Sequence, residues 1–412
     1  LSKITKVELF HVSRGVKPAF WPSWIPGYPQ THSRFTLIRL TTDDGIVGQA
    51  AGNAFSMERE GFGDLLGGFI LGIEATDIAT VRQRIKEASY LGWRNWWIEP
   101  AFWDIKGKIE GKPVYQLLSE SEKVVEKIPC YASTGSLKSF EERKPYLDQI
   151  RKMGFRGVKI RVHSFDENED FNILRKVREE VGKNFHLMTD ANQGWLVTLV
   201  DDAPKWDLER ATRFGKVADE LKLDWIEEPL DMHAFAEFRE LRRRVKTPVA
   251  GGELFGSRQE MQAAMDNTAF DIFQPDATFA GGLEDVRWCY EQCKKRKLKF
   301  SPHTWTNGIG MIVNLHAMAA SGSKMLLEFP FEPPGWIPEN RDALFPEPIR
   351  VDQGGCVAVP QKPGLGIEID EKELRRYAKR FHLMTPARLA VKTIREKGLK
   401  AALELKKKKE SR

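Results

Sequence analysis

The sequence predicts an α/β protein: a (β/α)8 TIM-type barrel with an α+β capping domain built from the N-terminal region and the C-terminal tail. Three observations lead there. From residue 127 onward, short apolar runs that end on polar or charged residues alternate eight times with amphipathic stretches. The residues before that point follow a different pattern. Chemically active side chains also recur at the ends of the runs, at near-constant intervals.

In chain order, residues 1–126 read as the capping domain. Two strand-like runs, "KITKVELFHV" and "FTLIRLTTDDGIVGQA", flank an aromatic, proline-rich loop, "KPAFWPSWIPGYPQTHS". The "DDG" is a hairpin turn signal. "WIEPAFWDIKGKIEG" reads as helix, with Trp93, Trp96 and Trp97 expected in core or interface. Residues 127–345 read as the barrel. Its strands are "KIPCYASTG", "GVKIRVH", "FHLMTDAN", "LDWIEEP", "PVAGGE", "DIFQPDA", "LKFSPHT" and "KMLLEFP". Residues 346–412 read as strand, turn and helix, and are expected to return to the capping domain.

Composition narrows the function. Of 412 residues, 30% are charged and 41% hydrophobic, as in a folded soluble chain. No apolar run reaches the roughly 18–20 residues of a membrane helix. The opening "LSKITKVELFHV" alternates like a strand and reads as neither a secretory nor a transit leader, so the expected location is cytoplasmic. Four cysteines make no disulfide framework; Cys289 and Cys293 share a helix face without a second pair and read as core thiols rather than a zinc site. The net charge of +6 resides in residues 392–412, with nine Lys or Arg against three Glu. The rest is neutral, which argues against a nucleic-acid partner.

The active groups of such barrels stand at the C-terminal ends of the strands. Those ends carry Lys159 and Arg161, Asp190, Glu227, Glu253, Asp276, His303 and Glu328. "DWIEEPL" is the most telling stretch, because an apolar strand runs into two glutamates and a proline. Asp190, Glu227 and Glu253 close three adjacent strands, and three carboxylates converge only around a cation. All-oxygen ligation points to a hard ion, Mg2+. The side chain of Glu228 points the other way and is expected in a supporting role or a salt bridge. Lys159 and Arg161 share one face of their strand. Asp276 stands one strand before His303, placed to fix its tautomer and raise its basicity.

On these residues the chain resembles the enolase superfamily, and within it the mandelate-racemase group of acid-sugar dehydratases and racemases. "TDANQGW", "WIEEP" and "GGELF" are similar to the metal-ligand motifs, "QPDATFAGG" and "SPHTW" to the Asp–His segments, and "LLEFP" to the strand-eight glutamate. "WDIKGKIEGKPVYQLL" and "PGLGIEID" resemble the capping helix and the closing stretch. The resemblance implies that Asp190, Glu227 and Glu253 hold one Mg2+ per subunit, and that the metal and Lys159 bind a substrate carboxylate. A base then takes the proton α to it. Protonated Glu328 would donate to the other carboxylate oxygen, His303 polarised by Asp276 would act on one face, and Asn192 would meet a substrate hydroxyl. A homo-oligomer is also implied.

One position departs. Many members carry lysine where this chain has Arg161, and arginine holds its proton too tightly to be a base. A 1,1-proton transfer needs groups on both faces, whereas one histidine can remove an α-proton and expel a β-hydroxyl. The expected activity is therefore dehydration of an aldonic or aldaric acid to a 2-keto-3-deoxy acid. Racemisation or epimerisation of a 2-hydroxy acid is the alternative, and a silent acid-binding barrel a third. The loop 17–32 resembles a specificity lid, with Trp21, Trp24 and Tyr28 either covering the site or packing elsewhere.

Overall fold

The computed structural model describes residues 2–53, 68, 70–90, 94–198 and 200–410; Trp93 lies outside them. The chain opens with β1 (Ile4–Phe20), β2 (Gln30–Thr42) and β3 (Val47–Asn53), joined antiparallel. The "DDG" forms the β2–β3 turn, with Gly45 at φ 84°. Helices α1 (Ile78–Tyr90), α2 (Glu99–Glu110) and α3 (Val114–Ser119) follow.

Eight parallel strands then alternate with seven helices: β4 (Lys127–Ser133), α4 (Phe140–Lys152), β5 (Gly157–Arg161), α5 (Glu167–Val181), β6 (His186–Asp190), α6 (Leu208–Leu221), β7 (Trp225–Glu227), α7 (Phe235–Arg244), β8 (Val249–Gly251), α8 (Arg258–Asp266), β9 (Ile272–Phe273), α9 (Gly282–Arg296), β10 (Lys299–Phe300), α10 (Gly308–Ser321) and β11 (Leu327–Pro330). The helices start where the sequence offers caps. Ser139 and Glu142 form a capping box on α4, and Asp207, Ser257 and Asn307 cap α6, α8 and α10. The rhythm breaks after β11, where one four-residue turn, α11 (Pro338–Arg341), replaces a full eighth helix.

The ladder runs β10-β9-β8-β7-β6-β5-β4-β11. Among the described residues no ladder pairs β10 with β11; side chains close that seam instead. Ser301 Oγ donates to Leu326 O at 2.8 Å, Ser323 Oγ to Phe300 O at 2.6 Å, and Thr304 Oγ1 to Glu328 O at 2.8 Å.

Period-two alternation sorts the barrel residues. Val158, Ile160, Leu187, Ile226, Val249 and Phe273 face the helices in the main core. Tyr131, Met188, Trp225, Ala250 and Ile272 fill the barrel interior as a separate cluster. The next inward position on each strand reaches the mouth, which is why Lys159, Asp190 and Glu227 stand on one rim.

Past the barrel, β12 (Cys356–Ala358) pairs antiparallel with β4. After α12 (Glu371–Tyr377), β13 (Ala378–Met384) pairs antiparallel with β1 and completes the four-stranded sheet β13-β1-β2-β3. Met384 is buried there with Leu9, Ile38, Trp97 and Phe102, and Trp96 packs at the edge. Helices α13 (Pro386–Lys397) and α14 (Leu399–Glu410) end the described chain. No described helix is long and apolar enough to cross a membrane.

Candidate active site

Asp190, Glu227 and Glu253 bring their carboxylate oxygens within 4.8 Å of one another, and all three are buried. Each is aimed by its neighbours. Trp225 Nε1 and Gln274 Nε2 donate to Glu227 Oε2 at 3.0 and 2.7 Å, so Oε1 is turned to Lys159 Nζ at 2.6 Å. Trp195 Nε1 holds Glu253 Oε1 at 2.7 Å, and the Asn192 N–H donates to Asp190 Oδ1 at 2.8 Å. Lys159 Nζ also stands 2.8 Å from Glu328 and 3.7 Å from Asp190. Four carboxylates thus face two basic side chains, Lys159 and Arg161. A divalent cation among the three clustered acids would neutralise that excess, and all-oxygen donors suit a hard ion such as Mg2+.

Asp276 and His303 form a dyad across the mouth from β5. Asp276 Oδ2 lies 2.8 Å from His303 Nδ1. Its Oδ1 accepts from Thr278 N and Oγ1, both at 2.7 Å, and from Asn314 Nδ2 at 2.9 Å. The carboxylate is therefore fixed before it meets the ring. His303 Nε2 faces the cluster, 3.5 Å from Glu253 and 4.0 Å from Glu328. Burial alone would push the His303 pKa down. The charges of Glu253, Glu328 and Asp276 outweigh it and lift the ring to about 9. A cation on Glu253 would cancel part of that lift and bring the ring toward neutral pH.

Glu328 differs from expectation. Burial favours its protonated form, but Lys159 and then His303 outweigh burial and hold its carboxyl below the usual carboxylate range. It also accepts the Thr304 N–H at 2.7 Å. In this arrangement it is an ion-paired acceptor, not the protonated donor the resemblance implied. Glu228 also differs. Its backbone turns left-handed, φ 44°, directly before Pro229. The side chain lies against Gly194, where an added Cβ would stand 2.3 Å from its Cδ. No described residue bonds either of its buried oxygens, so the expected salt bridge is not made. Burial, with the charges of Glu253 and Glu227, raises its pKa well above the ordinary value.

Arg161 is committed in several directions. It pairs with Asp190, donates from Nε to Thr134 O at 2.7 Å, and packs against two indoles, Trp24 and Trp305, each 5.3 Å from its Cζ. Trp24 therefore reaches the cluster from the 17–32 loop. Trp21 and Tyr28 do not share that place; they are 54% and 53% exposed. Asn192, left-handed at φ 47°, accepts from Ser23 Oγ at 2.7 Å and ties the same loop to the end of β6.

Comparison with known proteins places this geometry. Residues 145–373 match the family "Enolase C-terminal domain-like", and residues 7–119 match "Mandelate racemase / muconate lactonizing enzyme, N-terminal domain". The chain belongs to the enolase superfamily. Among superfamily relatives, it is 29% identical over 293 residues to arabinonate dehydratase of Saccharolobus solfataricus, covering 68% of this chain and 70% of that one. It is 31% identical over 289 residues to D-galactarolactone cycloisomerase of Agrobacterium fabrum, covering 68% of this chain and 72% of that one. The crystal structure of L-talarate/galactarate dehydratase from Salmonella typhimurium LT2, liganded with Mg and L-lyxarohydroxamate, superposes with TM-score 0.78 at 25% identity. The match covers 93% of this chain and 94% of that one.

Several residues of this superfamily site escaped sequence reasoning. Gln274 and Trp225 sit two residues before Asp276 and Glu227, so strand alternation already put them on the same inward face. Trp195 and Asn314 come from a loop and from mid-helix, where no periodic signal marks them.

Proposed function

We propose that the chain is a Mg2+-dependent dehydratase of sugar acids, giving 2-keto-3-deoxy products. The observation that supports this most is the asymmetry of the mouth: one oriented imidazole, His303, faces an arginine rather than a second base. Relatives include sugar-acid dehydratases as well as a cycloisomerase.

Asp190, Glu227 and Glu253 would hold the Mg2+, whose charge offsets the charge that develops on the substrate carboxylate as the α-proton leaves. Lys159 would hold the same carboxylate. His303 Nε2 would take the α-proton and return a proton to the departing β-hydroxyl, with Asp276 holding its Nδ1–H throughout. Arg161 would anchor oxygens and not exchange a proton.

The test is a screen of sugar acids with two readouts, 2-keto-3-deoxy product and α-proton exchange in D2O followed by NMR. Product formed with His303-dependent exchange is the expected result. Inversion at the α-carbon without loss of water would replace dehydration by racemisation. Binding without exchange would leave only an acid-binding barrel.

A further inference from the structure

The loop that carries Asp276 is a tight turn with a glycine end. The Ala280 and Phe279 N–H groups both return to Asp276 O, at 2.7 and 3.0 Å. Three contacts tie this turn to the dyad. Asp276 Oδ2 meets His303 Nδ1, Thr278 holds Asp276 Oδ1, and the Phe279 ring lies beside the imidazole with centroids 6.1 Å apart. The chain then passes through Gly281 and Gly282, the latter left-handed at φ 77°, into α9. Two successive glycines set no backbone direction of their own. Side chains from elsewhere hold that end of the turn.

They come from the N-terminal domain. Arg82 of α1 donates from Nη1 to Gly281 O and to Glu99 Oε2, and from Nη2 to Asp285 Oδ1, each at 2.6 Å. Glu99, the first residue of α2, accepts the Glu284 N–H at 3.1 Å and the Trp103 indole N–H at 3.0 Å, both on Oε1. Helix α9 starts at Gly281 without a side-chain cap of its own, so Glu99 supplies one from the other domain. The glycines make room for this. A Cβ on Gly282 would collide with the Glu99 carboxylate, and one on Gly281 with that of Asp285. Glu99 is fully buried. Burial lifts its pKa to about 7 against the opposing charge of Arg82. From the barrel side, Arg258 Nη2 donates to the same Asp285 oxygen at 2.8 Å.

Short bonds therefore run from one domain to the reacting group: Arg82 to Gly281 O at 2.6 Å, Ala280 N in the next peptide to Asp276 O at 2.7 Å, and Asp276 Oδ2 to His303 Nδ1 at 2.8 Å. An imidazole bonded through one nitrogen turns with its tether, and a base displaced by about 1 Å can lose about 100-fold in rate. We propose that Arg82 and Glu99 are positioning residues for proton transfer, through which the N-terminal domain holds the Asp276 turn and so aims His303 Nε2; this rests on the dyad reading above. The pair makes activity depend on how the two domains are seated, although neither side chain reaches the mouth.

The test is a double-mutant cycle on the full chain with Mg2+ and a confirmed substrate, assayed above the Glu99 pKa. Arg82→Met should lower kcat about 100-fold and change KM less than about threefold. Arg82→Lys keeps the charge but not the fork and should recover part of the loss. Glu99→Gln, nearly the same shape, should lower kcat about tenfold. In the Asp276→Asn background, where the dyad is already broken, Arg82→Met should cost less than about threefold. A merely structural arginine would lower the folded fraction and scale both backgrounds alike. Equal losses in the two backgrounds overturn the proposal, and so does a wild-type kcat in Arg82→Met. Amide hydrogen exchange in Arg82→Met should quicken across residues 277–285 while β5, β6 and β7 keep their protection; loss spread evenly over the barrel counts against it. If Arg82→Met does not fold, the same cycle with Arg82→Lys and Glu99→Gln decides on the same terms. A wild type that neither turns over nor exchanges any sugar acid would remove the dehydratase reading and this proposal with it, whereas equal losses in an active enzyme remove this proposal alone.

Discussion

Asp276 binds nothing directly; it acts on His303. Its three other hydrogen bonds fix it so that Nδ1 carries the proton and Nε2 is left to react. Asp276→Asn should then lower kcat by about 100- to 10,000-fold, the usual worth of general acid–base catalysis, with a smaller change in KM. Steady-state kinetics on a confirmed substrate would check it, and an effect confined to KM would break the dyad assignment. The clustered acids make a different prediction. Glu253→Gln should leave circular dichroism unchanged but abolish Mg2+-dependent turnover and weaken metal binding measured by calorimetry, because one of three ligands and its charge are gone. The same variant should also lower the His303 pKa, since Glu253 is the largest of the charges lifting it.

At the scale of elements, α10 and α3 meet through His316. Its Nδ1 accepts from Tyr115 N at 3.2 Å and its Nε2 lies 3.0 Å from Leu365 O, so the ring is neutral with the proton on Nε2. Burial pushes its pKa down to about 4 from an ordinary 6.5. Because the folded pKa is the lower one, the unfolded chain binds the proton first. The contribution of His316 is full above pH 6.5 and is lost as pH falls to about 4, on the order of 3 kcal/mol in total. Chemical denaturation across that window should show it, and His316→Leu should flatten the slope whatever it does to stability at pH 7. Elements were the most legible level of this chain. The eight apolar runs and their terminal acids were visible as a repeat, because parallel strands buried on both faces need continuous apolar runs. The missing eighth helix was not visible, since "PEN" and its flanks carry no periodicity to distinguish a turn from a short helix. Nor was the environment of Glu228, which depends on Gly194 from the neighbouring loop.

For the molecule as a whole, the barrel mouth gathers more carboxylates than Lys159 and Arg161 can balance, and a bound cation would relieve the excess. Chelation should therefore lower Tm, and Mg2+ should restore it, by about 2.7 kcal/mol of stability at a free concentration 100 times Kd. Calorimetric scans with EDTA and then excess Mg2+ measure this directly; an unchanged Tm would mean that the carboxylates are balanced by protein groups alone. The three clustered acids were legible because each stands at or just past a strand end, and strand ends converge by topology. The partners that aim them were less so, because Trp195 and Asn314 are brought in by folding and not by spacing.

The packing of Arg161 against both Trp24 and Trp305 has an optical consequence. A guanidinium held against an indole changes its emission, and Trp24 belongs to the loop over the mouth while Trp305 belongs to the barrel. Any ligand that engages Arg161 must disturb both rings at once. The chain thus carries its own fluorophore for occupancy, readable against the other ten tryptophans by comparing the wild type with Trp24→Phe and Trp305→Phe. Titration with a sugar acid under non-turnover conditions, in the His303→Asn variant, would then report binding without a label and separate it from chemistry.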